Sequence, residues 1–159
     1  MQPQSFALGV VAAILGISAC QPKSGELSDQ DKTALRAIFD STVTRASGGQ
    51  WDAWAAEYSE DGILYPPNAP AVKGRAALAA WGKAFPLIEK LNFSDVQVGG
   101  EGNLAWGTSS YVLKAKDLPP DTGKQLVVFH RTASGKWEVE AASFNSDLPP
   151  PVPAASPKP

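Results

Sequence analysis

His130, Asn145 and Asp147 are the residues of this chain whose types and placement offer chemistry, and all three fall in its last two stretches of strand-forming sequence. A neutral imidazole in apolar surroundings can shuttle a proton near neutral pH, and a carboxylate beside it can act as partner or base. His130 and Asp147 are therefore the candidate catalytic pair for a proton transfer of the isomerase, dehydratase or cyclase type. Asn145 offers a ligand both donors and an acceptor. The same residues have structural uses: a lone histidine on an apolar strand face also reads as a hydrogen-bonded core residue, and Asn and Asp end strands by bonding backbone amides.

Other chemistries lack their residues. One histidine and one cysteine leave only carboxylates as metal ligands, and these show no ligand spacing, so neither a metal nor a cofactor is expected. There is no glycine-rich phosphate loop after a strand, no G-x-S-x-G elbow and no Cys/His nucleophile pair. A formal net charge of -2 with scattered Lys and Arg gives no basic stripe and argues against a nucleic-acid surface. The aromatic residues Trp51, Trp54, Tyr58, Trp81 and Trp106 either fill a core or line a lipophilic pocket. Of these, Trp54, Tyr58 and Trp81 are the candidate ligand contacts. Tyr65 and Asn68 join them from a proline-bounded loop that suits a pocket entrance.

The elements that must position these residues follow from periodicity. Ser28 with Asp31 makes a capping-box-like start, and Leu35, Ile38, Phe39, Thr42, Val43 and Ala46 then share one helical face until Gly48 and Gly49 stop it. Trp51, Trp54, Ala55 and Tyr58 repeat the spacing in a short second helix, and residues 62–65 form a brief strand ended by Pro66 and Pro67. A third helix over 75–85 buries Ala77, Leu78, Trp81 and Phe85 before Pro86. Residues 91–98, 104–116, 124–132 and 137–146 are rich in β-branched and aromatic residues and separated by Gly, Pro or Asp. Three helices ahead of a strand meander give an α+β fold with the helices on one face of an antiparallel sheet.

Upstream, the apolar run over residues 6–17 is too short for a membrane-spanning helix, which needs about 20 residues, and suits the core of a secretory signal. Residues 1–5 carry no Lys or Arg, unlike the usual positive start of such a signal. Ile17-Ser18-Ala19-Cys20 resembles the bacterial lipobox. That resemblance implies that Cys20 is diacylglycerylated, that the chain is cut before it and that the new amino terminus is acylated. Residues 1–19 are then a signal peptide, and 20–27 a lipidated cysteine with a polar spacer. The location implied is the bacterial cell envelope, on the periplasmic side of the outer membrane in a Gram-negative cell, since Gln21 replaces the aspartate that retains lipoproteins in the inner one. A single cysteine excludes an internal disulfide. Residues 28–148 make one domain, and the Pro-rich stretch 149–159 reads as a disordered tail.

The run W-D-A-W-A-A-E-Y at 51–58, Asp61, Y-P-P-N-A-P at 65–70, Gly74, Trp81, G-K-W at 135–137 and F-N-S-D-L-P at 144–149 are together similar to the SnoaL-like branch of the nuclear transport factor 2-like superfamily. The resemblance implies a curved sheet wrapped around a long helix, leaving a cone with a pocket at its open end. It also implies homodimers built on the outer sheet face. The carboxylate base of a steroid isomerase in this superfamily falls here at about Pro66, and its tyrosine donor near Thr42, so that chemistry is not expected.

A last hairpin turning at Ser134 and Gly135 sets Thr132 opposite Trp137, His130 opposite Val139, Val128 opposite Ala141 and Leu126 opposite Ser143. In that register His130, Asn145 and Asp147 face the concave side, Arg131 and Glu138 pair outward, and Val127 and Phe129 lie on the outer face. The expected protein is an envelope-anchored domain that holds a small, mostly apolar molecule in its cone. The alternatives are an enzyme using His130 as acid and base, and a dimeric interaction module without catalysis.

Overall fold

In the computed structural model, residues 25–149 are described; the expected signal segment 1–19, Cys20, residues 21–24 of the expected spacer and the stretch from residue 150 lie outside them. Helix α1 (Asp29–Ser47) opens with a complete capping box: Ser28 Oγ accepts from the Asp31 amide at 3.2 Å, and the Asp31 carboxylate accepts from the Ser28 amide at 3.2 Å. Its apolar face carries Leu35, Phe39 and Ala46 into the core. Helix α2 (Trp51–Ala55) is shorter than its aromatic spacing predicts, because the next residues are drawn into the sheet. The Glu57 carbonyl accepts from the Val139 amide at 2.9 Å, and Tyr58 already belongs to strand β1 (Tyr58–Tyr65). A two-residue strand, β2 (Val72–Lys73), precedes α3 (Arg75–Ala84); a strand this short leaves no periodic signal.

The four remaining strands are β3 (Ile88–Glu101), β4 (Leu104–Ala115), β5 (Asp121–Arg131) and β6 (Trp137–Ser146). They form an antiparallel meander in a six-stranded sheet of order β2-β1-β6-β5-β4-β3. The expected α+β architecture holds, with one addition: β1 lies parallel to β6, because it is reached from the helical side rather than by a hairpin. Bulges in the β1/β6, β3/β4 and β5/β6 pairings help bend the sheet around α1. Gly107 lets that approach be close, since a Cβ there would meet the Phe39 ring of α1 at 2.7 Å.

The β5/β6 hairpin overturns the expected register next to the turn. Arg131, not Thr132, stands opposite Trp137, so the connection spans residues 132–136 and closes with Thr132 Oγ1 donating to the Lys136 carbonyl at 3.1 Å and Gly135 at φ 87°. A slip of one residue exchanges the faces of a strand. His130 therefore opposes Glu138 on the outer face, while Arg131, Phe129, Val127 and Gln125 point inward. A bulge at Glu140 then restores the expected pairs Val128 with Ala141 and Leu126 with Ser143, but both lie outside as well. Phe129 is 0 % exposed at the centre of the core, so it cannot form an outer face.

Arg131 does not pair with Glu138. Its guanidinium sits 4.5 Å from the centre of the Trp137 ring and forms an ion pair with Asp31, which also accepts from Trp137 Nε1 at 3.2 Å. Glu138 instead binds Arg75 at 3.2 Å and Lys136 at 3.0 Å. The Arg131 bond, with further hydrogen bonds from Ser28 and Trp137, holds the Asp31 carboxyl far below the usual carboxylate range despite partial burial. A depressed folded-state pKa stabilises the fold above about pH 4, and that contribution is lost as the pH falls below it. Asp31→Ala should cost about 3 kcal/mol at pH 7. Asp31→Asn should weaken the loss of stability on acidification between about pH 4 and pH 2. Thermal denaturation across that range checks both.

Candidate functional site

The inner faces of the sheet and helices enclose a half-open cavity of about 120 Å³. An aromatic chain forms one wall. The Trp51 and Trp54 rings meet edge to face at 5.7 Å, Trp54 lies 5.1 Å from Tyr58 and 6.2 Å from Trp81, and Trp81 continues to Phe85 and Phe144. Phe39 of α1 closes the back against Phe93 at 5.9 Å and Phe129 at 6.1 Å. Gly82 admits the Trp51 ring, which a side chain at that position would strike. Half-buried Trp81, Phe85, Leu91, Leu113 and Phe144 mark the mouth, at the opposite end of the molecule from Gly25, which hydrogen-bonds the β3–β4 turn through Gly102.

Polar groups in the lining are few. Tyr111 donates from its hydroxyl to Asp121 at 2.9 Å, and Ser146 donates to the other oxygen of that carboxylate at 2.5 Å. Burial and the Asp121 carboxylate push the Tyr111 phenol up, so it stays neutral. Gln125 donates from its amide to Ser109 at 2.9 Å. Thr42 leans toward Glu57, which lies behind the wall and binds Ser41 and, at 2.5 Å, Arg45. Burial pushes the Glu57 carboxyl up; its hydrogen bonds and the Arg45 charge pull it back without cancelling the shift. Tyr58 is buried and its phenol is likewise pushed up by burial, with a smaller contribution from Glu57.

Of the candidate residues, Trp54, Tyr58 and Trp81 line the cavity. Tyr65 is 48 % exposed at the end of β1, and Asn68 sits in an exposed turn at φ 55°; neither lines it. Trp106 is on the outer face, covering Gly99. Asn145 faces outward opposite Lys124, and Asp147 closes the strand end through an ion pair with Lys124 and a hydrogen bond from its backbone amide to the Thr122 carbonyl at 2.8 Å. His130 lies outside the cone with Glu140 3.6 Å from its Nδ1. His130 and Asp147 stand at opposite ends of the hairpin, roughly 25 Å apart at the usual rise per residue. They cannot act as a pair, because the five-residue turn placed the histidine on the wrong face and the ladder separated it from the carboxylate. Among the described residues, no three His, Cys, Asp or Glu side chains gather to hold a metal.

Thr42, Glu57, Tyr111 and Gln125 escaped the sequence reading as site residues. Thr42 was legible as an inward position of α1, but the others depend on which strand face turns inward.

A model of the SnoaL-like domain matches residues 29–140. The chain belongs to the SnoaL-like family. Solved structures share the fold over roughly three quarters of the chain, from 72% to 81% in three of them. A Nostoc punctiforme protein of unknown function with a cystatin-like fold superposes with a TM-score of 0.69 at 18% identity, over 81% of this chain and 98% of that one. A ketosteroid isomerase-like protein from Erwinia carotovora atroseptica gives 0.63 at 19% identity, over 77% and 100%. A nuclear transport factor 2-like protein from Novosphingobium aromaticivorans gives 0.64 at 20% identity, over 72% and 80%. No functionally curated protein matches the SnoaL-like chain. At these identities the neighbours establish the nuclear transport factor 2-like, ketosteroid isomerase-like fold.

Proposed function

We propose that this SnoaL-like protein is an envelope-anchored binding domain whose cone holds a small, mostly apolar molecule. The observation that carries the reading is the half-open aromatic cavity, whose lining, among the described residues, contains no Asp, Glu, Lys, Arg or His. Such a lining suits capture by burial and offers no side chain to exchange a proton at neutral pH. Trp81→Ala should abolish a bound mass seen by native mass spectrometry after exposure to a lipid-containing extract, whereas His130→Gln should leave it in place. Retention of the adduct by Trp81→Ala would sink the reading.

The anchor is the lipidated Cys20, supported by its lipobox setting. Four residues separate it from Gly25, so five steps of chain give a reach of about 18 Å at most. Because Gly25 enters at the narrow end, a lipid there turns the mouth of the cone away from the bilayer. Dye at Ser134→Cys, in the narrow-end turn, should transfer energy to acceptor lipids more efficiently than dye at Asp117→Cys, near the mouth. Equal transfer would reject the orientation.

A homodimer through the outer sheet face is the reading for assembly. Leu104 at 60 %, Trp106 at 42 % and Leu126 at 49 % exposure form an apolar strip there with Val128. Trp106→Lys should halve the mass measured by light scattering, and an unchanged mass would remove this surface from consideration.

A further inference from the structure

We propose that the chain's own proline-rich segment, residues 150–159, docks across the mouth of the cone and competes there with an entering molecule. The competition rests on the cone being a ligand pocket; the docking does not. The described chain ends beside that mouth. Phe144 of β6 belongs to the rim, and two residues on, Ser146 donates to the same Asp121 carboxylate that Tyr111 of the cavity lining donates to. The Leu148 amide then donates to Ser146 Oγ at 3.0 Å, and the chain reaches Pro149, the last described residue. The rim is apolar beyond the cavity itself. Leu148 is exposed, and so are Leu87 and Leu118, which stand next to prolines in the α3–β3 and β4–β5 connections. Those connections are tied together by the Lys116 amide, which donates to the Leu87 carbonyl at 2.8 Å.

The composition of the segment suits that surface. Five of its ten residues are proline, and its only charged side chain is Lys158. Proline-rich chains favour the polyproline helix, which docks in grooves lined by aromatic side chains at a low cost in entropy. Trp81, Phe85 and Phe144 supply such a lining at the mouth, with the Trp81 ring 5.4 Å from Phe85 and 6.4 Å from Phe144. Pro150 and Pro153 have the P-x-x-P spacing that sets two prolines on one edge of that helix. Length is sufficient as well. From β6 to β3 the mouth spans three strand spacings, roughly 14 Å, whereas ten residues of polyproline helix reach about 31 Å. Among the described residues the lining offers a charged partner no opposite charge, so a nearly uncharged segment tethered at the rim fits it best.

The test places 5-fluorotryptophan in the full chain in lipid nanodiscs, where the five tryptophans give fluorine resonances assigned by single Trp→Phe substitutions. Deleting residues 150–159 should shift the Trp81 resonance and leave Trp106, on the outer face, and Trp137, beside the narrow-end turn, in place. Val152→Asp keeps the length and tether of the segment but sets a charge against the rings, and should reproduce that shift. A Trp81 resonance unmoved by the deletion, or moved by the deletion and not by Val152→Asp, would overturn the docking. A Trp81 shift that varies with protein concentration would also overturn it, by giving the mouth to the segment of a second copy. For the competition, toluene is the probe: it should shift the Trp54 resonance at a several-fold lower concentration in the deleted chain than in the full one. Equal concentrations would overturn the competition. Failure of toluene to move Trp54 in either chain would overturn the pocket reading, with the docking decided separately by Trp81.

Discussion

The Arg131 guanidinium, held between the Asp31 carboxylate and the face of Trp137, fixes which side of β5 looks into the cone. Side chains alternate along a strand, so an inward Arg131 commits Phe129, Val127 and Gln125 to the interior and His130, Val128 and Leu126 to the outside. The same contact ties the first turn of α1 to the last hairpin, two segments separated by most of the domain. Asp31 serves both ends, capping its own helix through Ser28 and neutralising the inward arginine. The bulge at Glu140 completes the arrangement by letting β6 keep Val139 and Ala142 inside on either side of it.

With that face settled, the interior is dominated by aromatic and aliphatic groups. Trp51, Trp54, Trp81 and Phe144 pack edge to face or tilted, which leaves gaps that flat stacking would close. Glycines at positions 82 and 107 allow rings from another element to approach the backbone, so the aromatic layer fits without forcing the sheet away from α1. The polar side chains near the wall satisfy one another in small sets, Glu57 with Ser41 and Arg45, and Asp121 with Tyr111 and Ser146. Charge is thereby kept behind the lining or at the mouth.

The sheet therefore separates two surfaces of different character. Its concave side is closed by helices except at the mouth, and its convex side leaves Leu104, Trp106 and Leu126 exposed. Gly25 hydrogen-bonds Gly102 of the β3–β4 turn, at the end away from the mouth.

The order of elements, the first and third helices, the four long strands and the α+β class were legible because helical and strand periodicities are local and the breakers are strong: Gly48, Pro67 and Pro86 each end an element near where the pattern stops. Trp54, Tyr58 and Trp81 were legible as inward positions for the same reason. The faces of β5 and β6 were not. A turn over 133–136 and one over 132–136 read alike in residue type, yet they differ by one position and so exchange inside for outside. The sequence alone determined which residues are buried in kind, apolar and aromatic, and where the chain bends. Only the tertiary structure decided that His130, Asn145 and Asp147 lie outside the cone, because the choice depends on a contact between Asp31 and Arg131 that no local pattern encodes.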